Sequence, residues 1–373
     1  MTPQIPKQRT GKHIAIIGSG PTGLAAAAQL NKAGHHVTVL ERNDRCGGLL
    51  VYGIPNMKLD KKLVQRRIDL MTREGIEFRT NVNVGEKEDE TRDLLGSFDA
   101  TLMAVGSTWP RDLPIPGRNL SGIHFAMEFL ETSQKHNLGK PGGYKLPHID
   151  AKGKHVLVIG GGDTGVDCIA TSLRMDAETI TTFELLSEPP ASRGAHHPWP
   201  LLPRVFRVEY GHEEAAVKYG KDPRIYNIMC KRFFGDTEGR VTGVETVDVG
   251  WVKDAGGRWM MKEVEGTEQK FRADLVLLAL GFLGPEKKLS EMLGVRHDMR
   301  STVQTEHNSF LTNVPKVYAA GDCRYGQSLI VTAIAEGRQA ARQIDLDLMG
   351  CTSLAGPGGQ VEPPRPPPKQ HEL

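Results

Sequence analysis

Cysteine is scarce in this chain. Its 373 residues hold five, Cys46, Cys168, Cys230, Cys323 and Cys351, and no two of them form a CxxC pair. That scatter excludes a CxxC redox disulfide, and it excludes cysteine-ligated iron–sulfur clusters within the chain, which need four thiolates each. The thiols read as reduced residues of a cytosolic protein. An excess of charge is missing as well: 47 Lys and Arg against 45 Asp and Glu leave a net +2. Such a balance gives no footprint for nucleic acid and no electrostatic hold on a membrane. No apolar run approaches the roughly 20 residues that span a bilayer. The opening MTPQIPKQRTGK is basic but has no apolar core, so it is no secretory signal. A soluble protein is expected, cytoplasmic, with an organelle left open.

What the chain does have is the length for two domains and one glycine pattern that occurs twice. The first occurrence is HIAIIGSGPTGLAAAAQLNKAGHHVTVLE, residues 13 to 41. A buried strand at Ile14 to Ile17 runs into Gly18-Ser19-Gly20-Pro21-Thr22-Gly23 and an alanine-rich helix. Gly18 allows the tight turn, Gly20 lets the backbone approach a pyrophosphate, and Gly23 lets the helix pack on the strand. The next strand ends on Glu41, placed to accept a ribose hydroxyl. The second occurrence, KHVLVIGGGDTG, repeats strand and turn with Gly160, Gly162 and Gly165. Two such units imply two dinucleotides.

Between and after them the chain reads in order. Arg42 to Leu50 is a loop whose Gly47-Gly48 pair allows backbone amides to approach the same cofactor, with a plain surface turn as the alternative. Residues 59 to 73 have helical spacing at Leu59, Leu63, Ile68 and Met71, and 76 to 84 alternate as a strand, where Val84 offers backbone contacts to an adenine. The strand 98 to 105 ends on Gly106, and the proline-rich passage after it takes the chain out of the first domain near Gly122. A helix over 124 to 136 leads to the second unit, whose strand 179 to 186 carries Glu184 where the first unit has Glu41. An acid there favours a free 2′-hydroxyl and NADH; Arg193, close behind, suits a 2′-phosphate, so NADPH stays open. His196-His197 beside Trp199 has no third ligand at metal spacing, and no metal is expected. Residues 233 to 264 read as an antiparallel meander and 273 to 280 as a buried strand. Back in the first domain, the strand 316 to 320 ends on Gly321-Asp322, placed to bond a sugar-alcohol chain or to cap the following turn. A helix over 327 to 348 follows, with its positive end facing what lies beyond. The segment from Ala355, with Pro363 to Pro368, reads as disordered. The expectation is an α/β protein of two Rossmann-like dinucleotide-binding domains, each a parallel sheet with a small antiparallel meander. The first domain is built from 11–122 and 284–350, with 123–283 inserted and 351–373 a disordered tail.

GSGPTGLAAAAQL, ERNDRCGGLLVYGIPNMKLDK, VIGGGDTGVDC, HHPWPLLPRVFRVEYGHEEAAVKYGKDPR and VYAAGDCRYGQSLIVTAIAEGRQAA closely resemble the FAD/NAD(P)H portion of glutamate synthase. That portion is the small subunit of the bacterial enzyme or the C-terminal region of the fused eukaryotic one, and the resemblance runs from about Gly11 to Met349. It implies that FAD is held by Gly18, Ser19, Gly20, Pro21, Gly23, Glu41, Arg42, Gly47, Gly48, Leu49, Val84, Ala104, Gly106, Gly321, Asp322, Gln327 and Ser328. It places NAD(P)H on Gly160, Gly162, Asp163, Thr164, Gly165, Glu184 and Gly281. The implied activity is hydride transfer from NAD(P)H to FAD, supplying electrons to a glutamate synthase large subunit, or to another acceptor, for glutamate synthesis from glutamine and 2-oxoglutarate. No side chain is expected as a general acid or base, because the transfer needs stacking and orientation. A stand-alone NAD(P)H:acceptor reductase and a non-catalytic cofactor-binding scaffold are the alternatives. The family's small subunit has a cysteine-rich N-terminal domain before the FAD motif, and only a dozen residues precede it here, so the chain as written is expected to lack that iron–sulfur exit. Cys46 stands where the family has an apolar residue, and Thr332 where a tryptophan is expected.

Overall fold

The computed structural model describes residues 2–139, 148–194, 198–199, 204–254, 256–306 and 308–356. They form two units, one made of the chain up to Arg111 together with the stretch from Phe282 on, the other of Asp112–Gly281. In the first unit, β1 (His13–Ile17) is apolar at four consecutive positions because a parallel sheet is covered on both faces. It leads into α1 (Pro21–Lys32), with Pro21 at the first helical turn, where a missing N–H leaves no bond unmade. β2 (His36–Leu40) lies parallel to β1 in register His13↔His36 to Ile17↔Leu40. After α2 (Leu49–Tyr52) comes α3 (Lys61–Arg73), capped by the Asp60 carboxylate, which accepts from Lys62 N–H at 2.9 Å. Its inner face is Val64, Ile68, Leu70 and Met71; Leu63, expected inside, is 49% exposed. The strand expected over 76–84 is cut to β3 (Glu77–Arg79), because Asn81 takes φ 58° and the chain bends to bring Val82 N–H onto Glu41 C=O. α4 (Glu88–Gly96), β4 (Ala100–Met103) and the short β5 (Trp109–Pro110) complete this stretch.

The second unit starts ahead of the expected point near 122. Leu113, Ile115 and Leu120 pack on its core, and Phe233 N–H donates to Pro116 C=O at 2.8 Å, which ties the proline-rich passage to this unit. β6 (Ile123–Phe125) and α5 (Ala126–Leu138) precede the second glycine unit, β7 (His155–Ile159), α6 (Asp163–Arg174) and β8 (Thr179–Phe183). α7 (Tyr210–Tyr219) and β9 (Arg224–Ile225) follow. His196 and His197 lie outside the described residues. The meander is β10 (Ile228–Gly235), β11 (Val241–Lys253), β12 (Trp259–Glu263) and β13 (Gln269–Arg272), with β10, β12 and β13 all antiparallel to β11. β14 (Leu275–Leu278) closes a five-stranded parallel sheet in the order β6-β14-β7-β8-β9, with an apolar core on each face.

On return to the first unit, β15 (Phe282–Gly284) pairs antiparallel with β5, and α8 (Lys287–Leu293) follows. β16 (Val317–Ala319) then completes the parallel order β16-β4-β1-β2-β3. A meander was expected in each unit. Among the described residues of the first, antiparallel pairing is confined to β5 with β15 and the isolated bridges His297↔Val303 and Leu311↔Tyr318. The long closing helix expected over 327–348 is α10 (Ile330–Met349), which starts three residues later, and a separate short α9 (Asp322–Tyr325) precedes it. Gly326, at φ 92°, turns the chain between them, so Gln327 and Ser328 precede α10 instead of starting it. Of the segment expected to be disordered from 351, residues 351–356 are placed, with Leu354 buried, and 357–373 lie outside the described residues. None of the described helices is long and apolar enough to cross a membrane.

Candidate cofactor sites

Each unit carries a cradle of the same construction. In the first, Gly18 sits at φ +99°, and a Cβ there would lie 2.4 Å from Ala104 C=O; one on Gly23 would lie 2.0 Å from Gly18 C=O. Only glycine lets the three strands of backbone meet so closely. Gly20, between them, is the reverse case: it caps α1, and a Cβ would meet nothing within 4 Å. Gly106, at φ +72°, also faces open space. The result is an opening at a helix N-terminus whose first turn holds no acid, the arrangement that receives an anion.

Glu41, at the end of β2, is buried and turned onto this loop. Ser19 donates to its carboxylate through N–H at 3.1 Å and through the hydroxyl, and Asn43 N–H donates to the other oxygen at 2.8 Å. Ser19 Oγ in turn accepts from Gly47 N–H at 2.8 Å, and Gly48 backs onto Gly20 at a separation that a Cβ would close to 3.1 Å. The structure thus brings Gly18, Ser19, Gly20, Pro21, Gly23, Glu41, Gly47 and Gly48 into one cluster. Leu49 opens α2 with 43% of its surface exposed. Arg42 lies at the edge, its guanidinium 2.8 Å from Glu286. Val84 is half-buried against two apolar clusters of the same unit.

Asp322 stands beside this cluster because a Cβ on Gly321 would strike the Thr22 hydroxyl at 2.1 Å, so β16's end sits directly against α1. Its Oδ1 is buried with no hydrogen-bond partner among the described residues. Burial pushes the carboxyl up to about 6; the Ser328 N–H works against that shift, and the nearby Glu336 adds to it. Behind it Arg324, 1% exposed, donates to both Glu336 carboxylate oxygens at 3.1 and 2.9 Å and stacks on the Phe310 ring. Glu336 also accepts from Gly321 N–H at 3.4 Å. This buried ion pair braces the Asp322 turn, and the sequence reading missed it; its signal is an arginine and a glutamate each within three residues of a glycine, in GDCR and AEG. Gln327 turns to the chain instead: its Oε1 accepts from Phe282 N–H at 3.2 Å.

The second unit repeats the cradle. Gly160, at φ +107°, would put a Cβ 2.4 Å from Ala279 C=O, Gly165 one 2.3 Å from Gly160 C=O, and Gly162, capping α6, faces open space. Asp163 and Thr164 form the first turn of α6, and Gly281 closes the unit at φ +80°. Glu184 follows β8 directly and lies over Gly161, where a Cβ would fall 1.4 Å from its Oε1. Burial pushes its carboxyl up to about 7, and Arg224 pulls it down. All five cysteines are free, and in Cys46, Cys230 and Cys323 burial pushes the thiols up to between about 11 and about 12, far from the thiolate that redox chemistry needs.

Residues 2–96, 87–195 and 240–337 match the family described as Pyridine nucleotide-disulphide oxidoreductase. The chain is 56% identical over 366 residues to the glutamate synthase [NADH] of Schizosaccharomyces pombe, covering 97% of this chain and 17% of that one. It is 48% identical over 353 residues to the glutamate synthase [NADPH] small chain of Bacillus subtilis, covering 94% of this chain and 71% of that one. Among solved structures, FprA of Mycobacterium tuberculosis in complex with NADPH superposes with a TM-score of 0.68 at 20% identity, over 91% of this chain and 85% of that one. The thioredoxin reductase of T. acidophilum superposes at 0.62 and 21% identity, over 91% and 99%. These two establish the fold alone. The chain spans about a sixth of the fungal relative and most of the bacterial small chain. It belongs to the pyridine nucleotide-disulphide oxidoreductase family and, within it, with the glutamate synthase small chains.

Proposed function

We propose that this chain is the NAD(P)H-oxidising flavoprotein module of a glutamate synthase, with FAD in the first unit and the nicotinamide nucleotide in the second. The observation that carries the reading is the repeated cradle: in each unit two glycines are required by backbone contact while the glycine between them, Gly20 or Gly162, opens onto free space at a helix N-terminus. That is a fit for two pyrophosphates. In the first unit Glu41 takes the adenosine ribose, Gly47 and Gly48 approach the phosphates, Ala104 and Gly106 flank the opening, and the unpartnered Oδ1 of Asp322 accepts from the ribityl hydroxyls. In the second, Gly160 to Gly165 hold the pyrophosphate and Glu184 the ribose. Bound FAD supplies a two-electron acceptor for the hydride given up by the nicotinamide. The protein's part is to bind, orient and keep water away, and no side chain moves a proton. Electrons then leave for a large subunit that makes glutamate from glutamine and 2-oxoglutarate; in support, the match forms part of a far longer chain in the fungal relative.

The test is anaerobic stopped-flow absorbance of FAD-loaded protein mixed with NADH and, separately, NADPH. Rapid bleaching of the flavin band is expected. Protein that retains no flavin, or a band that neither nucleotide bleaches, sinks the reading.

A further inference from the structure

GIPNMKLDK, residues 53–61, ends on a lysine at the wrong end of a helix. Lys61 opens α3, whose first turn holds no acid, and a cation there opposes the partial positive charge of the helix N-terminus. A second helix accounts for it. The half-buried Lys61 reaches back across the loop, and its ammonium donates to Leu50 C=O at 2.9 Å and to Ile54 C=O. These carbonyls lie at the C-terminal end of α2, where a cation is favoured. The loop between is built for the reach: Pro55 C=O accepts from Lys58 and Leu59 N–H at 3.0 and 3.1 Å, and the Asp60 cap starts α3 at once.

α2, four residues long, holds no shape by itself. It follows two glycines at positive φ, Gly47 at 126° and Gly48 at 53°. A Cβ on Gly47 would fall 2.6 Å from Val51 of α2 and 3.1 Å from Val64 of α3, so α3 touches this loop at both ends, through Val64 and Lys61. Tyr52, buried, secures the middle: its hydroxyl donates to the Asp44 carboxylate and accepts from Arg45 at 3.0 Å. The face so fixed is the one that Gly48 presents to Gly20. We propose that Lys61 is a positioning residue for FAD, holding the far end of α2 so that Gly47 and Gly48 keep the placement the cofactor meets. This rests on the reading of the first unit as the FAD site. Without the ammonium the loop opens, and the apparent affinity falls in proportion to the fraction of molecules that keep it closed.

The test pairs two measurements on flavin-free protein: fluorescence titration with FAD, and hydrogen exchange at the amides of residues 50–54, which bond the carbonyls of Gly47, Gly48 and Leu49. Lys61→Met keeps the stem and removes the donors. It is expected to weaken FAD binding about tenfold or more and to leave those amides exchanging nearly as in an unstructured chain until FAD is added. NAD+ affinity, read by calorimetric titration, is expected to stay at the wild-type value. Lys61→Arg, which keeps charge and donors, is expected to recover most of the FAD affinity and of the protection. Wild-type FAD affinity in Lys61→Met, or a loss of affinity with the amides of 50–54 still protected, overturns the proposal and leaves the first unit an FAD site. So does protection lost evenly throughout the first unit, which marks a structural role alone. If Lys61→Met does not fold, Lys61→Gln, shorter and uncharged, takes its place under the same criteria. Wild type that binds no FAD overturns the underlying reading, and the proposal with it.

Discussion

Asp322 and Glu184 are carboxyls that the fold holds partly out of water, at about 6 and about 7 respectively, with burial the chief cause in both. Both values lie above those of the unfolded chain, so each group's contribution to stability is fully present below the unfolded value, near ~4, and is lost as pH rises through ~6 to ~7. The isosteric Asp322→Asn and Glu184→Gln are therefore expected to stabilise the ligand-free protein by about 1 to 3 kcal/mol near pH 8, with the gain shrinking toward pH 5, as read from melting curves at both pH values. Function pulls the other way at Asp322. Asp322→Ala removes the acceptor assigned to the ribityl chain, and a loss of about tenfold or more in FAD affinity is expected; retention of flavin through gel filtration equal to wild type would contradict the assignment. Arg324 is a different kind of residue, a charge whose partner Glu336 is buried with it. Arg324→Met removes that carboxylate's buried cationic partner and is expected to cost about 3 to 5 kcal/mol, measured by denaturant unfolding.

At the scale of the element, the strand–glycine turn–helix unit separates glycines that the backbone needs from the glycine that a ligand needs. Gly160 has positive φ and a carbonyl 2.4 Å from any added Cβ, so Gly160→Ala is expected to destabilise by more than about 2 kcal/mol. Gly162, two residues on, has ordinary φ and open space around it, so Gly162→Val is expected to fold with a stability within about 1 kcal/mol of wild type. It nevertheless fills the face assigned to the pyrophosphate. Nucleotide titration checks the contrast: binding to Gly162→Val at wild-type affinity would show that this face is not the phosphate site. The same economy of space joins α1 to α10, where a Cβ on Gly337 would fall 2.2 Å from Thr22 C=O, so the helix that opens the first unit and the helix that closes it meet backbone to backbone.

At the scale of the whole molecule, the chain crosses from one unit to the other and back, and the first unit is completed only by residues from Phe282 on. β16 supplies the edge of its sheet, and the Gly321-Asp322 turn supplies a carboxylate whose Oδ1 has no hydrogen-bond partner among the described residues. Each proposed ligand therefore has its own unit to stabilise. FAD at about a hundred times its Kd is expected to add about 2.7 kcal/mol to the first unit, and NAD+ at the same excess a similar amount to the second. Gly162→Val should remove the second effect in a calorimetric scan and leave the first. Loss of both effects would mean that the two sites are not separable in this way.

Sequence alone determined the parts whose physics is local. Both glycine cradles were legible because strand, turn and helix lie within a dozen residues, and each glycine answers to a nearby contact: Gly23 to Gly18 C=O, Gly165 to Gly160 C=O. The buried parallel strands were legible from their unbroken apolar runs. What lay beyond reach depended on residues far apart in the chain. The strand beyond Glu77–Arg79 failed because Val82 turns to Glu41, and the long helix from 327 was shortened by Gly326 and the Asp322 turn. The Arg324–Glu336 pair and the burial of Glu184 near Arg224 depend on which charges the fold removes from water. A side chain's burial and partners are properties of packing, so tertiary structure alone decided that Glu41 is held by Ser19 while Glu184, over a glycine, is pushed up to about 7.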